Sequence, residues 1–106
     1  MARDPQADSA FEITGSDGRY RLAGVAGYAN ARRVLEDGRR RFGAEPRVDV
    51  DLGGLIALDS AGLAVLIAWL GEARGHGRTL AYHGLPGALV ATARVAGVEG
   101  LVGASG

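Results

Sequence analysis

The stretch from Val48 to Leu63, VDVDLGGLIALDSAGL, constrains this chain more than any other part of it. Val48, Val50 and Leu52 alternate with Asp49 and Asp51, so residues 47–52 read as a central strand with one apolar side. Gly53 to Leu58 reads as a short apolar loop, and Asp59-Ser60 then stands at the mouth of a helix. The Ser60 hydroxyl is thereby expected where exposed backbone N–H groups and the positive end of a helix dipole favour an added phosphate or an acidic contact.

Composition narrows the field around that segment. A chain of 106 residues supports one modest core and a single domain. Its twelve basic side chains, all Arg, balance twelve acidic ones, so a chain-wide electrostatic case for nucleic acid is weak. With no Cys, disulfides, thiolate catalysis and the common zinc patterns are excluded. Residues 1–9 are polar without an apolar h-region and read as a disordered tail rather than a signal peptide, leaving residues 10–103 as the folded domain. The longest strongly apolar stretch, Ala61 to Leu70, is too short to cross a bilayer, so direct membrane insertion is not expected.

The remaining elements follow from periodicity and turn chemistry. Phe11 to Thr14 and Tyr20 to Gly24 form a hairpin about Ser16-Asp17-Gly18. Asn30 is the expected cap of a first helix whose apolar stripe is Ala31, Val34, Leu35, Gly38 and Phe42, and which Gly43 and Pro46 end. Arg39, Arg40 and Arg41 suit the negative end of that helix dipole, and no aromatic residues interleave with them as a nucleic-acid patch would require. A second helix spans about 61–76, Thr79 to His83 is a strand, and a third helix runs from Pro86 to about Ala96. Gly97 is its expected C-terminal cap, and Leu101-Val102 a last apolar element. The order ββαβαβα implies a single α/β domain, with a mixed sheet of four or five strands and helices mainly on one face.

On the second helix Leu63, Leu66, Ile67, Leu70 and Ala73 form the stripe expected to face the sheet. The opposite side carries Ala64, Val65, Ala68 and Trp69 where a surface helix normally shows charge. That composition points to a partner-binding face with Trp69 as anchor. The alternative is that Trp69 lies against the first helix or the terminal segment as ordinary satellite core. Ser60 also has two readings: a helix cap worth ~1 kcal/mol, or a functional hydroxyl.

Catalysis finds no support. His76 and His83 follow a helix end and a strand end, and Ser60 with Asp59 has neither a base at a telling spacing nor a Gly-x-Ser-x-Gly elbow. Asp49 and Asp51 share a strand face, which reads as a solvated face rather than a metal site. The glycine-rich stretches match no P-loop or dinucleotide fingerprint, so no cofactor is expected.

Asp59-Ser60-Ala61-Gly62-Leu63 resembles the D-[ST]-[SAG]-G-[LI] motif of the STAS domains (sulfate transporter and anti-sigma factor antagonist), in which a strand leads into the motif and a helix follows. The resemblance covers Val48 to Leu101, including Gly77-Arg78-Thr79-Leu80 and Ala93-Arg94-Val95-Ala96-Gly97-Val98, and is weaker over the first 45 residues. There Gly24-Val25-Ala26-Gly27 replaces the Gly-x-Leu-Asp common after the second strand. The apolar run Leu63 to Leu70 and the segment from Leu85-Pro86 onward are most similar to the MlaB-like branch. That branch implies a cytoplasmic, non-catalytic subunit, peripheral on the inner membrane through its partner. The partner is the ATPase subunit of a phospholipid ABC transporter that maintains lipid asymmetry. The anti-sigma antagonist branch implies instead an anti-sigma kinase as partner and phosphorylation of Ser60. In either case Asp59, Ser60, Ala61, Gly62, Val65 and Trp69 are the expected contact set, with Gly62 leaving room for a partner backbone.

Overall fold

The first strand, β1 (Phe11–Ser16), turns back into β2 (Arg19–Ala26) through Asp17 and Gly18, whose φ angles of 54° and 82° give the mirror-image turn that suits the twist of paired strands. The computed structural model describes the backbone of residues 10–95 and the side chains of residues 10–91. Helix α1 (Ala31–Phe42) leads to β3 (Arg47–Leu58), and α2 (Ser60–Gly75) to β4 (Thr79–His83). Helix α3 (Gly87–Val95) closes the described chain. Gly97, Val98, Leu101 and Val102, and the tail over residues 1–9, lie outside the described residues.

The four strands form one mixed sheet in the order β1-β2-β3-β4. The hairpin is antiparallel, and β2–β3 and β3–β4 are parallel because a helix carries the chain back between them. Val48, Val50 and Leu52 of β3 are buried beneath α1 and α2, while Arg47, Asp49 and Asp51 point away. The expected α/β architecture, with a four-stranded sheet and its core on one face, is the one observed.

One boundary differs from the sequence reading. Residues 53–58 are not a loop but the second half of β3. Where β2 advances from Arg21 to Ala23, β3 advances from Asp51 to Gly54; where β2 advances from Gly24 to Val25, β3 advances from Leu55 to Ala57. Each step inserts one extra residue on β3, a bulge that re-phases its side chains. Leu52, Leu55 and Leu58, spaced by three rather than two, therefore all reach the core. The alternation that marks a strand is broken without the strand ending.

The core gathers Leu22, Val34, Val50, Leu52, Leu63 and Leu66, each nearly or fully buried, and each such side chain contributes about 1.5–3 kcal/mol relative to exposure. Tyr82 on β4 donates its hydroxyl to the Leu66 carbonyl at 2.7 Å, tying α2 to the sheet, and burial pushes its phenol well above its ordinary pKa.

Candidate functional site

The motif sits where β3 delivers the chain into α2. Asp59 is extended (φ −110°, ψ −173°) and caps the helix: its Oδ1 accepts the Gly62 N–H at 3.0 Å. Its Oδ2 accepts the Tyr28 N–H at 2.9 Å, so one carboxylate joins the loop after β2 to the start of α2. These N–H donors, Tyr28 first and Gly62 second, hold the Asp59 carboxyl below its usual range. The cap is thus Asp59 and not Ser60. Ser60 is the first residue of α2, exposed, one position too late to cap.

Asn30 also departs from its expected role. It precedes α1 but makes no side-chain cap bond. Its Oδ1 accepts the Gly27 N–H at 3.0 Å, its Nδ2 donates to the Val25 carbonyl at 2.7 Å, and it is buried. Both ends of the amide are spent on closing the loop between β2 and α1.

Gly62 serves the fold rather than a partner. A Cβ there would lie 2.1 Å from the Ala26 carbonyl oxygen, so only glycine lets the first turn of α2 rest on the end of β2. It is buried, and Ala61 beside it is half-buried.

Val65 and Trp69, expected on an outward face, are 4% and 2% exposed. Trp69 donates its indole N–H to the Leu35 carbonyl of α1 at 3.1 Å and meets Phe42 edge-on, ring centroids 5.0 Å apart. Gly38 on α1 makes the space, since a Cβ there would lie 2.2 Å from the indole. The reason is that α2 has two neighbours, the sheet on one side and α1 on another. A wheel that supposes one buried face places Trp69 outward. Ile67, assigned to the sheet side, is instead 39% exposed.

What α2 leaves to solvent is Ser60, Ala64, Ile67 and Gly71, flanked by half-buried Ala61 and Ala68. No charged side chain stands on this stripe until Arg74. Outside α2 two exposed apolar residues were missed by the sequence reading, Tyr28 at 89% and Ile56 at 77%. With Ile67 they are the exposed large hydrophobic side chains among the described residues; Tyr28 lies at the start of α2, where its N–H meets Asp59, Ile56 near the end of β3, and Ile67 in the middle of α2. Ile56 was hidden in an apparent loop; Tyr28 carried no signal beyond its place between a strand and a helix.

Elsewhere polar groups pair with one another. Arg39 on α1 grips Glu72 on α2 with a 2.9 Å contact from Nε, holding the Glu72 carboxyl below its ordinary pKa. On the open sheet face Asp49 accepts from Arg47 at 3.1 Å and contacts His83 Nε2 at 2.9 Å, while Asp51 accepts the Gly53 N–H at 2.8 Å. The described residues contain no group of three or more His, Cys, Asp or Glu placed to hold a metal.

A family model described as "Mlab, STAS domain" matches residues 9–103. No curated protein matches the chain.

Proposed function

Because the chain belongs to the STAS domains, in their MlaB-like branch, we propose that it is a non-catalytic regulatory subunit. It docks on the ATPase subunit of an inner-membrane phospholipid ABC transporter, the machinery of lipid asymmetry, and supports that subunit's assembly and activity. The observation that carries this reading is the exposed, uncharged stripe Ser60, Ala64, Ile67 and Gly71 on α2, which begins at the motif. A solvent-facing helix stripe normally carries charge, so an uncharged one that includes an exposed isoleucine supports a protein-binding surface. Asp59, Ser60 and Ala61 form its polar rim, and Gly62, Val65 and Trp69 support it from behind. Nucleotide chemistry belongs to the partner. No helix among the described residues is long and apolar enough to cross a membrane, and peripheral attachment through the partner accords with that.

A second reading rests on Ser60 alone. Its exposed hydroxyl at the start of α2 is open to a kinase, and a phosphate there would take first-turn N–H groups and be repelled by Asp59, displacing a docked protein. In that reading the chain is an anti-sigma factor antagonist and its partner an anti-sigma kinase.

A tagged pull-down from cytoplasm and solubilised membranes, with mass spectrometry of the Ser60 peptide, separates the two. An ABC ATPase with its permease and unmodified Ser60 is the expected result. A soluble kinase with phosphate on Ser60 would replace the first reading with the second.

A further inference from the structure

Tyr28 and Ile56 lie outside the motif and outside α2, yet they are the most exposed large apolar side chains among the described residues. A single exposed ring is common on protein surfaces. The backbone beneath this one is not an ordinary loop. The Gly27 N–H donates to Asn30 Oδ1, the Asn30 N–H donates to the Gly27 carbonyl at 3.0 Å, and Asn30 Nδ2 donates to the Val25 carbonyl. The Tyr28 N–H itself donates to Asp59 Oδ2. The segment is fastened to β2 on one side and to the cap of α2 on the other, and it holds the ring out from a fixed base. A side chain displayed this way leaves little backbone to order on binding. Ile56, the extra residue of the second β3 bulge, precedes Ala57, which pairs with Val25 just upstream of this loop.

The charge of the patch narrows the occupant. Both Asp59 oxygens accept backbone N–H groups, its carboxylate is exposed, and no cationic side chain pairs with it among the described residues. An anionic headgroup surface would meet that carboxylate with like charge. A second copy docking patch to patch would bring two Asp59 carboxylates into one interface and, among the described residues of the patch, no cation to meet them.

We infer that Tyr28 is the anchor of the docking surface, seated in an apolar pocket of a folded protein partner that sets a basic side chain opposite Asp59 and Ser60. This rests on the reading given under Proposed function and extends it from α2 to the loop after β2. Aromatic anchors surrounded by weaker contacts dominate such interfaces.

The test is calorimetric titration of the purified ABC ATPase subunit with the wild-type chain, Tyr28→Ala, Tyr28→Phe and Ala64→Arg. Flotation with phosphatidylcholine–phosphatidylglycerol vesicles and light scattering of the chain alone run alongside. Tyr28→Ala is expected to weaken binding at least ~10-fold with an unchanged unfolding midpoint, and Tyr28→Phe to keep most of the affinity. The wild-type chain is expected neither to float nor to dimerise. Wild-type affinity in Tyr28→Ala beside a loss in Ala64→Arg would overturn the anchor and leave the α2 reading standing. Failure of the wild-type chain to bind would overturn both. Flotation or dimerisation that depends on Tyr28 would give the ring another occupant and overturn the inference.

Discussion

The two long sides of α2 that face away from the sheet use similar residues to opposite ends. On one, Val65 and Trp69 are closed off by α1, with the indole N–H satisfied by the Leu35 carbonyl and the ring fitted over Gly38. On the other, Ser60, Ala64, Ile67 and Gly71 meet solvent and carry no charge. Both are apolar, so apolarity does not distinguish the structural side from the one available to a partner. The presence of α1 does. A substitution on the closed side should act on stability, and one on the open side on binding.

The largest expected effect is on the closed side. Trp69→Ala removes a buried ring that bridges α1 and α2, and should cost about 3–5 kcal/mol in urea-induced unfolding. A cost below ~1 kcal/mol would mean that the indole is not core. Next comes Gly62→Ala, whose methyl would press on the Ala26 carbonyl oxygen. Overpacking of this kind costs ~1–3 kcal/mol, and a drop in the thermal midpoint without any new binding defect in the folded protein is the expected result. An unchanged midpoint combined with lost binding would return Gly62 to the interface.

Asp59 stands between the two sides, and its effect is smaller and depends on pH. Asp59→Asn keeps a capping oxygen but removes the charge that strengthens the bonds from Tyr28 and Gly62 at the helix N-terminus, a loss of about 0.3–1 kcal/mol near neutral pH. Because folding lowers the Asp59 pKa, its stabilisation is present above the unfolded value of ~3.9 and is lost as pH falls through the folded value. The stability gap between wild type and Asp59→Asn should therefore be full at pH 7 and close progressively below about pH 4. A gap that stays constant down to pH 2 would show that ionised Asp59 contributes nothing beyond its amide.

The contrast between the sides also explains how far the sequence could be read. The hairpin, the helix order and the single-faced core follow from local periodicity and turn chemistry, and all are present. The first half of β3 was legible because Val48, Val50 and Leu52 alternate. The second half was not, because bulges shift the phase at points that only the pairing with β2 defines. Trp69 was misplaced for a similar reason: a helical wheel knows one axis, whereas α2 packs against the sheet and α1 at once. The cap fell to Asp59 because its carboxylate meets two N–H groups, one of them from a residue 31 positions away in the chain. Of the candidate site, Asp59, Ser60 and Ala61 remain at the surface, Gly62, Val65 and Trp69 lie beneath it, Ile67 stands exposed on the same helix, and Tyr28 joins it through the bond of its N–H to Asp59.

The most direct test of this division is the affinity of Ala64→Arg for the ATPase subunit, measured with its unfolding free energy. Ala64 is exposed at the centre of the uncharged stripe, so the arginine should change stability by no more than ~0.5 kcal/mol while weakening binding at least ~10-fold. Wild-type affinity in a fully folded Ala64→Arg would contradict the account and move the partner surface away from α2.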